Sequence, residues 1–218
     1  MFLKKKNKKI NTTLDIQYRM NNDISKFISR QYYKNELKDG PNIINLNHGV
    51  FDLSKGLYWI DTINTKNSRE DMMGTSYYNV EESKIILNLL NWLDDNLNDK
   101  KEIGIISPYS AQKTYLVDLL NQYNFNNIDL EINTVDAFQG REKEIIIMNC
   151  VRNNEKGEFG HVSGDSRMNV AISRAQELLF IVGNRQFVES NKKASKSMYS
   201  LVNYLDKDNS IINKDFFS

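Results

Sequence analysis

The chain has 218 residues, of which 40% are hydrophobic and 26% are charged, and its formal net charge at pH 7 is +1. This composition is typical of a folded globular core and excludes an intrinsically disordered chain. A chain of this length can form one sizeable domain. Because the net charge is close to zero, bulk charge does not predict nucleic-acid binding, which would need a local patch.

The beginning of the chain and its single cysteine narrow the class of protein further. Met1, Phe2 and Leu3 precede a lysine-rich run, which lacks the long apolar segment of a secretory signal. No apolar stretch approaches the ~20 residues needed to span a bilayer, so we expect no membrane partner. Cys150 cannot form an intrachain disulfide, which fits a reducing cytoplasm and leaves a nuclear location open. With one cysteine and two histidines, we expect no metal site.

The first elements predicted along the chain are a helix and a strand separated by irregular segments. Residues 1–13 form a basic N-terminal end or an interdomain remnant, and a nucleic-acid role for their lysines stays open. Helical spacing of apolar residues predicts a helix over 23–33. A strand is predicted at Leu57–Asp61 and a polar loop over 64–74.

Strand and helix patterns then alternate. Asn79 is a predicted N-cap with Glu82 at the third helical position, much like a capping box, and this helix extends to about Asn96. The alternation predicts an α/β fold, with a mostly parallel sheet covered by helices on both faces. The predicted strands cover 103–109, 145–151 and 178–182, and a further strand ends near 132. A helix is predicted over 111–123, and a partly helical tail over 191–218.

The run from Arg167 to Ala175 places two arginines seven residues apart, about two helical turns. Its apolar residues can pack on one face, and a buried strand over 178–182 follows at once. The run therefore predicts a short helix that is pinned to the sheet and holds Arg174 in a fixed place. A planar guanidinium that is always charged matches phosphate oxygens. The alternative is an ordinary surface arginine on a helix.

Three other segments accompany this run. The first reads Leu-Asp-Ile-Gln-Tyr-Arg-Met over 14–20 and sets an aromatic ring beside an arginine. The second is the strand over 103–109, which ends in Ser-Pro-Tyr. The third reads Thr-Val-Asp-Ala-Phe-Gln-Gly-Arg-Glu over 134–142 and lies between two apolar strands, where loops of open α/β sheets carry sites.

Together and in this order, the four segments resemble the second RecA-like domain of superfamily 1 helicases of the RNA-surveillance (nonsense-mediated decay) type. The resemblance runs from about Leu14 to about Val188. It implies a RecA-like P-loop NTPase fold, with a second RecA-like helicase domain over 14–190. One departure is Asn21-Asn22, where the family usually has His-Pro, and it puts the start of the following helix in question.

The resemblance also implies contacts with ATP. Tyr18 would stack on the adenine, and Arg19 would reach the γ-phosphate. The alternative is a core tyrosine beside a surface arginine. Arg174 would act as an arginine finger, stabilising the charge that develops during phosphoryl transfer. Arg167 would be a further ATP contact, with a salt bridge that orients the helix as its alternative role.

In the segment over 134–142, the resemblance assigns Glu142 to the ribose, because a carboxylate accepts hydrogen bonds from sugar hydroxyls. Gln139 and Gly140 would shape the loop near the phosphates, and Gly140 can adopt a backbone angle that other residues resist. Thr134 and Asp136 would lie toward the nucleic acid, although capping of the loop by short polar side chains explains them equally simply.

Ser107, Pro108 and Tyr109 would contact the nucleic-acid backbone, which carries no sequence information. A tight strand-to-helix turn stopped by proline is the structural alternative, and both roles are compatible. The partner would be single-stranded RNA or DNA, followed in the 5′ to 3′ direction by resemblance.

No Gly-x-x-x-x-Gly-Lys-Ser/Thr loop occurs in the chain, and no apolar strand ends in a paired Asp-Glu. In the family, both belong to a first RecA-like domain, which binds the ATP phosphates and Mg²⁺. We therefore expect half of a motor, inactive alone, whose cofactors are ATP and Mg²⁺ and whose partner is that first domain. The competing hypothesis is a non-enzymatic module that binds nucleic acid or protein.

Overall fold

The computed structural model describes residues 15–41, 43, 48–50, 52–63 and 68–217, so the basic segment over 1–13 lies outside the described residues. The strands are β1 (Ile16–Gln17), β2 (Lys38–Asp39), β3 (Leu57–Asp61), β4 (Asp71–Met73), β5 (Ser76–Tyr78), β6 (Lys101–Ser107), β7 (Ile128–Thr134), β8 (Lys143–Asn149), β9 (Ala175–Gly183) and β10 (Ile211–Asn213). The α-helices are α1 (Asn22–Tyr32), α2 (Val80–Asn96), α3 (Ser110–Leu120), α4 (Asp165–Ile172), α5 (Arg185–Ser190) and α6 (Lys196–Lys207).

Six strands form one sheet in the order β10-β3-β9-β8-β6-β7, and every pairing in it is parallel. Two short ribbons lie outside this sheet: β1 pairs with β2, and β4 pairs with β5 in an antiparallel hairpin. The predicted α/β class with a mostly parallel sheet is confirmed. Parallel strands all point their carboxyl ends to one edge, so the sheet has an amino edge and a carboxyl edge.

Helices cover both faces of the sheet, as predicted. Ile146 and Met148 of β8 face the core that α1, α4 and α6 cover, whereas Ile145 and Ile147 face the core that α2 and α3 cover. This alternation follows from the two-residue period of a strand. Because both faces are buried, the central strands are continuous apolar runs rather than alternating ones.

Helix α2 begins as predicted and the Asn79 N-cap is confirmed, but the Glu82 side chain does not complete a capping box. The Asn79 side chain accepts a hydrogen bond from the Glu82 N–H at 3.0 Å. The Glu82 carboxyl group is buried and accepts the Val151 N–H at 2.7 Å. Val151 has a left-handed φ of 67°, which is unusual for a β-branched residue. Glu82 therefore holds the chain where it leaves β8.

Several predicted elements were wrong in extent. The strands expected over 103–109 and 145–151 span Lys101–Ser107 and Lys143–Asn149, and the helix expected over 111–123 spans Ser110–Leu120. The polar loop over 64–74 was expected to be irregular to its end, but 71–73 form β4 of the hairpin. The helix expected over 167–175 spans Asp165–Ile172 instead, and Arg174 lies after its end. The helix ends because the chain joins the sheet there, where the Arg174 carbonyl accepts the Lys143 N–H at 3.1 Å.

The segment over 191–218 supplies helix α6 and strand β10, which pairs with β3 at the edge of the sheet. Asn21 caps α1 by accepting the Asp23 N–H at 2.9 Å, so the helix starts normally despite the Asn21-Asn22 departure. No helix in the described part of the chain is long and apolar enough to cross a membrane.

Candidate functional site

A cleft of about 730 Å³ lies at the amino edge of the sheet. Glu142 and Arg174 directly precede β8 and β9, and the turn after β1 brings Tyr18 and Arg19 to the same place. We call this the amino-edge cleft. It unites four predicted site residues from three segments that are far apart in the sequence.

Tyr18 presents an open aromatic face in this cleft. Its side chain is 68% exposed, although it is a large apolar ring. The ring packs against Gly40, where any Cβ would overlap the ring carbons. Tyr18 is therefore supported by backbone on one side and open on the other, as a stacking platform requires.

Arg19 and Glu142 form an ion pair across the cleft. Arg19 also donates to the Ser173 carbonyl at 3.5 Å, and Glu142 accepts from the Gln176 amide at 3.0 Å. Both charged side chains are about two-fifths exposed, so water screens the pair and it contributes little to stability. The pair instead fixes the positions of two functional groups.

Arg174 is the second cation of the cleft. Its Nε donates to the Val170 carbonyl at 3.0 Å, and its Nη1 donates to the Arg141 carbonyl at 3.3 Å. Burial and the nearby charge of Arg19 lower the pKa of Arg174. Glu142, which is paired with Arg19, opposes this shift. The three side chains together carry one net positive charge, which favours an anion beside Arg174.

Gln17 is an organising residue that the sequence reasoning missed. Its Oε1 accepts the N–H groups of Arg19 at 2.8 Å and Met20 at 2.7 Å, and its Nε2 donates to the Met20 carbonyl at 2.8 Å. These bonds close the turn that presents Tyr18 and Arg19. A buried glutamine beside an aromatic and an arginine carries no sequence signal of its own.

Three predicted ATP contacts do not line the amino-edge cleft: Gln139, Gly140 and Arg167. Gly140 has a left-handed φ of 84°, so glycine suits the turn as expected. Arg167 lies at the other end of α4 from Arg174. Arg167 lies in the first turn of α4, whereas Arg174 follows the helix end at Ile172, and the two arginines line cavities at different edges of the sheet.

A second pocket, of about 490 Å³, lies at the carboxyl edge. Pro108 follows β6, Thr134 ends β7 and Asp136 follows it, and the β4–β5 hairpin forms another wall. A smaller adjoining cavity shares these three residues and adds Arg167. We call the two cavities together the carboxyl-edge pocket.

Ser107 and Tyr109 were predicted to contact nucleic acid, but their hydroxyl groups form hydrogen bonds within the protein. Ser107 is fully buried, and its hydroxyl donates to the Tyr109 carbonyl at 3.2 Å and accepts the Tyr109 N–H at 3.3 Å. The buried Tyr109 hydroxyl donates to the Phe159 carbonyl and accepts from Arg152 and the His161 N–H. Ser107 therefore lies behind the pocket, whereas Tyr109 lines it together with Pro108, Thr134 and Asp136.

Arg152 is a second residue that the sequence reasoning missed. It is buried, donates to Glu70 at 2.9 Å, and places its guanidinium 4.0 Å from the centre of the Tyr77 ring. Glu70 is buried too. This ion pair ties the start of the β4–β5 hairpin to the end of β8, so it builds the wall of the carboxyl-edge pocket.

Among the described residues, no group of three or more His, Cys, Asp or Glu side chains could hold a metal ion. Glu142 is the one carboxylate among the described residues that line the amino-edge cleft, and Arg19 neutralises it. The lining of the cleft thus combines the exposed Tyr18 ring, two guanidinium groups and this one carboxylate. Cys150 is buried, which raises the pKa of its thiol and makes it unreactive.

The chain is similar to known proteins over most of its length. A family model described as an AAA domain matches residues 1–186. Helicase SEN1 of Saccharomyces cerevisiae is 34% identical over 215 residues, which cover 90% of this chain and 10% of the relative. An uncharacterized ATP-dependent helicase of Methanocaldococcus jannaschii is 35% identical over 201 residues, which cover 86% of this chain and 29% of the relative.

A homologue of regulator of nonsense transcripts 1 from Neurospora crassa is 33% identical over 78% of this chain and 16% of the relative. The chain thus spans less than a third of each of these relatives. One solved structure is the C-terminal domain of a possible DNA helicase from Lactobacillus plantarum. Its superposition covers 82% of this chain and 97% of the solved chain, with a TM-score of 0.45 and 12% sequence identity. The sequence relatives confirm the resemblance to superfamily 1 helicases.

Proposed function

Because the chain belongs to the AAA domain family, with helicases among its relatives, we propose that it is the second motor domain of an ATP-dependent superfamily 1 helicase. It supplies one wall of an ATP site, and a first RecA-like domain supplies the phosphate-binding loop. The motor moves 5′ to 3′ along single-stranded RNA or DNA, in the cytoplasm or nucleus.

One observation carries this proposal: the amino-edge cleft combines an open aromatic platform with two converging guanidinium groups. Tyr18 offers its ring face, and Arg19 and Arg174 offer positive charge. Adenine needs a flat apolar surface, whereas a triphosphate needs fixed cations. A module that binds only protein has no need of both in one cleft.

Each residue then has a distinct task. Tyr18 stacks on the adenine, and Glu142, held by Arg19 and Gln176, accepts a hydrogen bond from a ribose hydroxyl. Arg19 and Arg174 face the γ-phosphate. Charge on the phosphate oxygens grows in the transition state, so a cation already fixed by the Val170 carbonyl stabilises that state without reorganising. Arg174 is the finger, because its backbone bonds fix its direction.

Nucleic acid passes the carboxyl edge of the sheet. Pro108 and Thr134 line the pocket there, and backbone and hydroxyl groups suit a strand of any sequence. Mg²⁺ is held by the first domain, together with the ATP phosphates that this domain binds.

The proposal is tested by steady-state ATPase measurements on the protein that joins this chain to a first RecA-like domain, with single-stranded nucleic acid present. Arg174→Ala is expected to lower kcat by roughly 10³-fold or more, as loss of a finger does elsewhere. Arg30→Ala, an exposed arginine of α1, is the matched control and should leave the rate unchanged. The chain alone should not turn over ATP. Turnover by the chain alone that Arg174→Ala abolishes would overturn the half-motor proposal.

A further inference from the structure

The carboxyl-edge pocket needs a positive charge if it is to hold a nucleic-acid backbone, since phosphates dominate such binding. None of the residues that the sequence predicts to contact nucleic acid there is a cation, and one of them, Asp136, is a carboxylate. Of the described residues that line the pocket, two carry a fixed positive charge, Arg152 and Arg167. The question is which of them can meet a phosphate.

The Arg152 guanidinium already has partners within the protein. Its side chain is 5% exposed, and Glu70, Glu158, the Tyr109 hydroxyl and the Tyr77 ring surround it. Moving it toward a strand would leave the buried Glu70 carboxylate without its partner, which is costly. Arg152 therefore builds the wall and does not contact the strand.

Arg167 is open to solvent and oriented. Its side chain is 43% exposed, its Nη1 lies 2.7 Å from the His161 Nδ1, and its Nη2 lies 3.7 Å from the Asp136 carboxylate. A guanidinium has five N–H donors and no acceptor, so His161 accepts through Nδ1. These two contacts fix the direction of Arg167 and leave donors to spare.

His161 is itself held in place. Its backbone N–H donates to the Tyr109 hydroxyl at 3.1 Å, and its ring centroid lies 5.3 Å from that of Tyr109. The preceding Gly160 has a φ of 57°, and any Cβ there would overlap the Tyr109 hydroxyl. The close approach of residue 160 thus sets His161 beside Arg167.

We propose that Arg167 binds a phosphate of the nucleic-acid strand, oriented by His161 and Asp136, rather than the phosphates of ATP. This inference rests on the proposed nucleic-acid binding and assigns its phosphate-binding cation. Arg167, in the first turn of α4, and Arg174, two residues after its end, then bind two different polyanions. Asp136 positions the cation, and the strand displaces the weak contact at 3.7 Å when it binds.

The test measures the affinity of this chain for a fluorescent single-stranded 20-mer by anisotropy at several salt concentrations. Arg167→Ala is expected to weaken binding several-fold and to reduce the slope of log K against log salt by about 0.7, the value for one lost phosphate contact on a single strand. Arg167→Lys keeps the charge and should keep the slope. Arg30→Ala is the matched control and should leave both unchanged.

His161 provides a second arm of the same experiment. His161→Gln retains an acceptor for Arg167 and should bind nearly as tightly as the unchanged chain. His161→Leu removes the acceptor and should weaken binding, but less than Arg167→Ala does. Thermal unfolding of each variant separates a loss of contact from a loss of fold.

The outcomes are distinguishable. If Arg167→Ala weakens binding with an unchanged salt slope, the role is structural and the inference is wrong. If Arg167→Ala binds normally, the inference is wrong while the proposed function stands. If the unchanged chain binds no single strand even at low salt, both the nucleic-acid part of the proposed function and this inference are wrong.

Discussion

The ring of Tyr18 rests on the backbone of Gly40, because residue 40 has no Cβ to keep it away. Gly40 lies 22 positions further along the chain, where it follows β2, and β2 pairs with β1 just before Tyr18. The short β1–β2 ribbon therefore sets the tilt of the ring. Gly40, which has no side chain, thus sets the position of the ring that we propose as the platform for the base.

Gly40→Ala should displace the Tyr18 ring and weaken ATP binding without touching the phosphate contacts. Stacking of a base on an aromatic ring is worth about 1–3 kcal/mol, so we expect KM for ATP to rise by at least about 5-fold, with kcat changed little. Steady-state kinetics of the two-domain protein checks this. Tyr18→Ala should raise KM to a similar extent. Gly164→Ala controls for glycine replacement, because its φ is -78° and its Cβ would lie 3.9 Å from the nearest atom. An unchanged KM in Gly40→Ala would contradict the role of this contact.

Glu82 should make the stability of the domain depend on pH. Burial raises the pKa of its carboxyl group from 4.5 to about 8 in the folded protein. Between these values the folded state keeps a proton that the unfolded state has lost, so the free energy of unfolding falls as pH rises, by up to about 1.4 kcal/mol per pH unit. Urea unfolding followed by circular dichroism from pH 5 to 9 measures this.

Glu82→Gln is the matched variant, because it is neutral at every pH and keeps an acceptor for the Val151 N–H. The free energy of unfolding of Glu82→Gln should therefore fall less steeply between pH 5 and 8 than that of the unchanged protein. Equal slopes in the two proteins would show that Glu82 ionises freely in the folded state.

The ion pair between Arg152 and Glu70 should be a major stabilising contact. Arg152→Ala leaves the buried Glu70 carboxylate without its cation, with hydrogen bonds from Asn153 and Asn154 remaining, and is expected to cost about 3 kcal/mol of unfolding free energy. Arg69→Ala breaks the exposed pair with Glu155 and should cost less than about 1 kcal/mol. Denaturant unfolding of both variants gives the comparison.

Adding Glu70→Gln to Arg152→Ala should recover part of the loss, because the unpaired charge disappears. A cost for Arg152→Ala no larger than that for Arg69→Ala would mean that Glu70 reaches water in the folded protein.

Much of the fold could be predicted because buried parallel strands and capped helices have strong local signatures. The strand Leu57–Asp61 and the start of α2 at Asn79 were predicted at their observed positions. The β4–β5 hairpin was missed because its two strands are three residues long and owe their pairing to Glu70 and Tyr77, which Arg152 holds from 75 or more positions away.

By itself, the sequence determined which chemical groups this protein has and in what order: an aromatic beside an arginine, a Ser-Pro-Tyr turn, a polar loop and a run with two arginines. It could not say which of these groups meet.

The loop over 134–142 and helix α4 both run back from the carboxyl edge of the sheet to its amino edge, because every strand of a parallel sheet starts at the same edge. Each therefore delivers one residue to each edge: Asp136 and Glu142 from the loop, Arg167 and Arg174 from the helix and the residues that follow it. That return path separates the two arginines, and only the tertiary structure decided it.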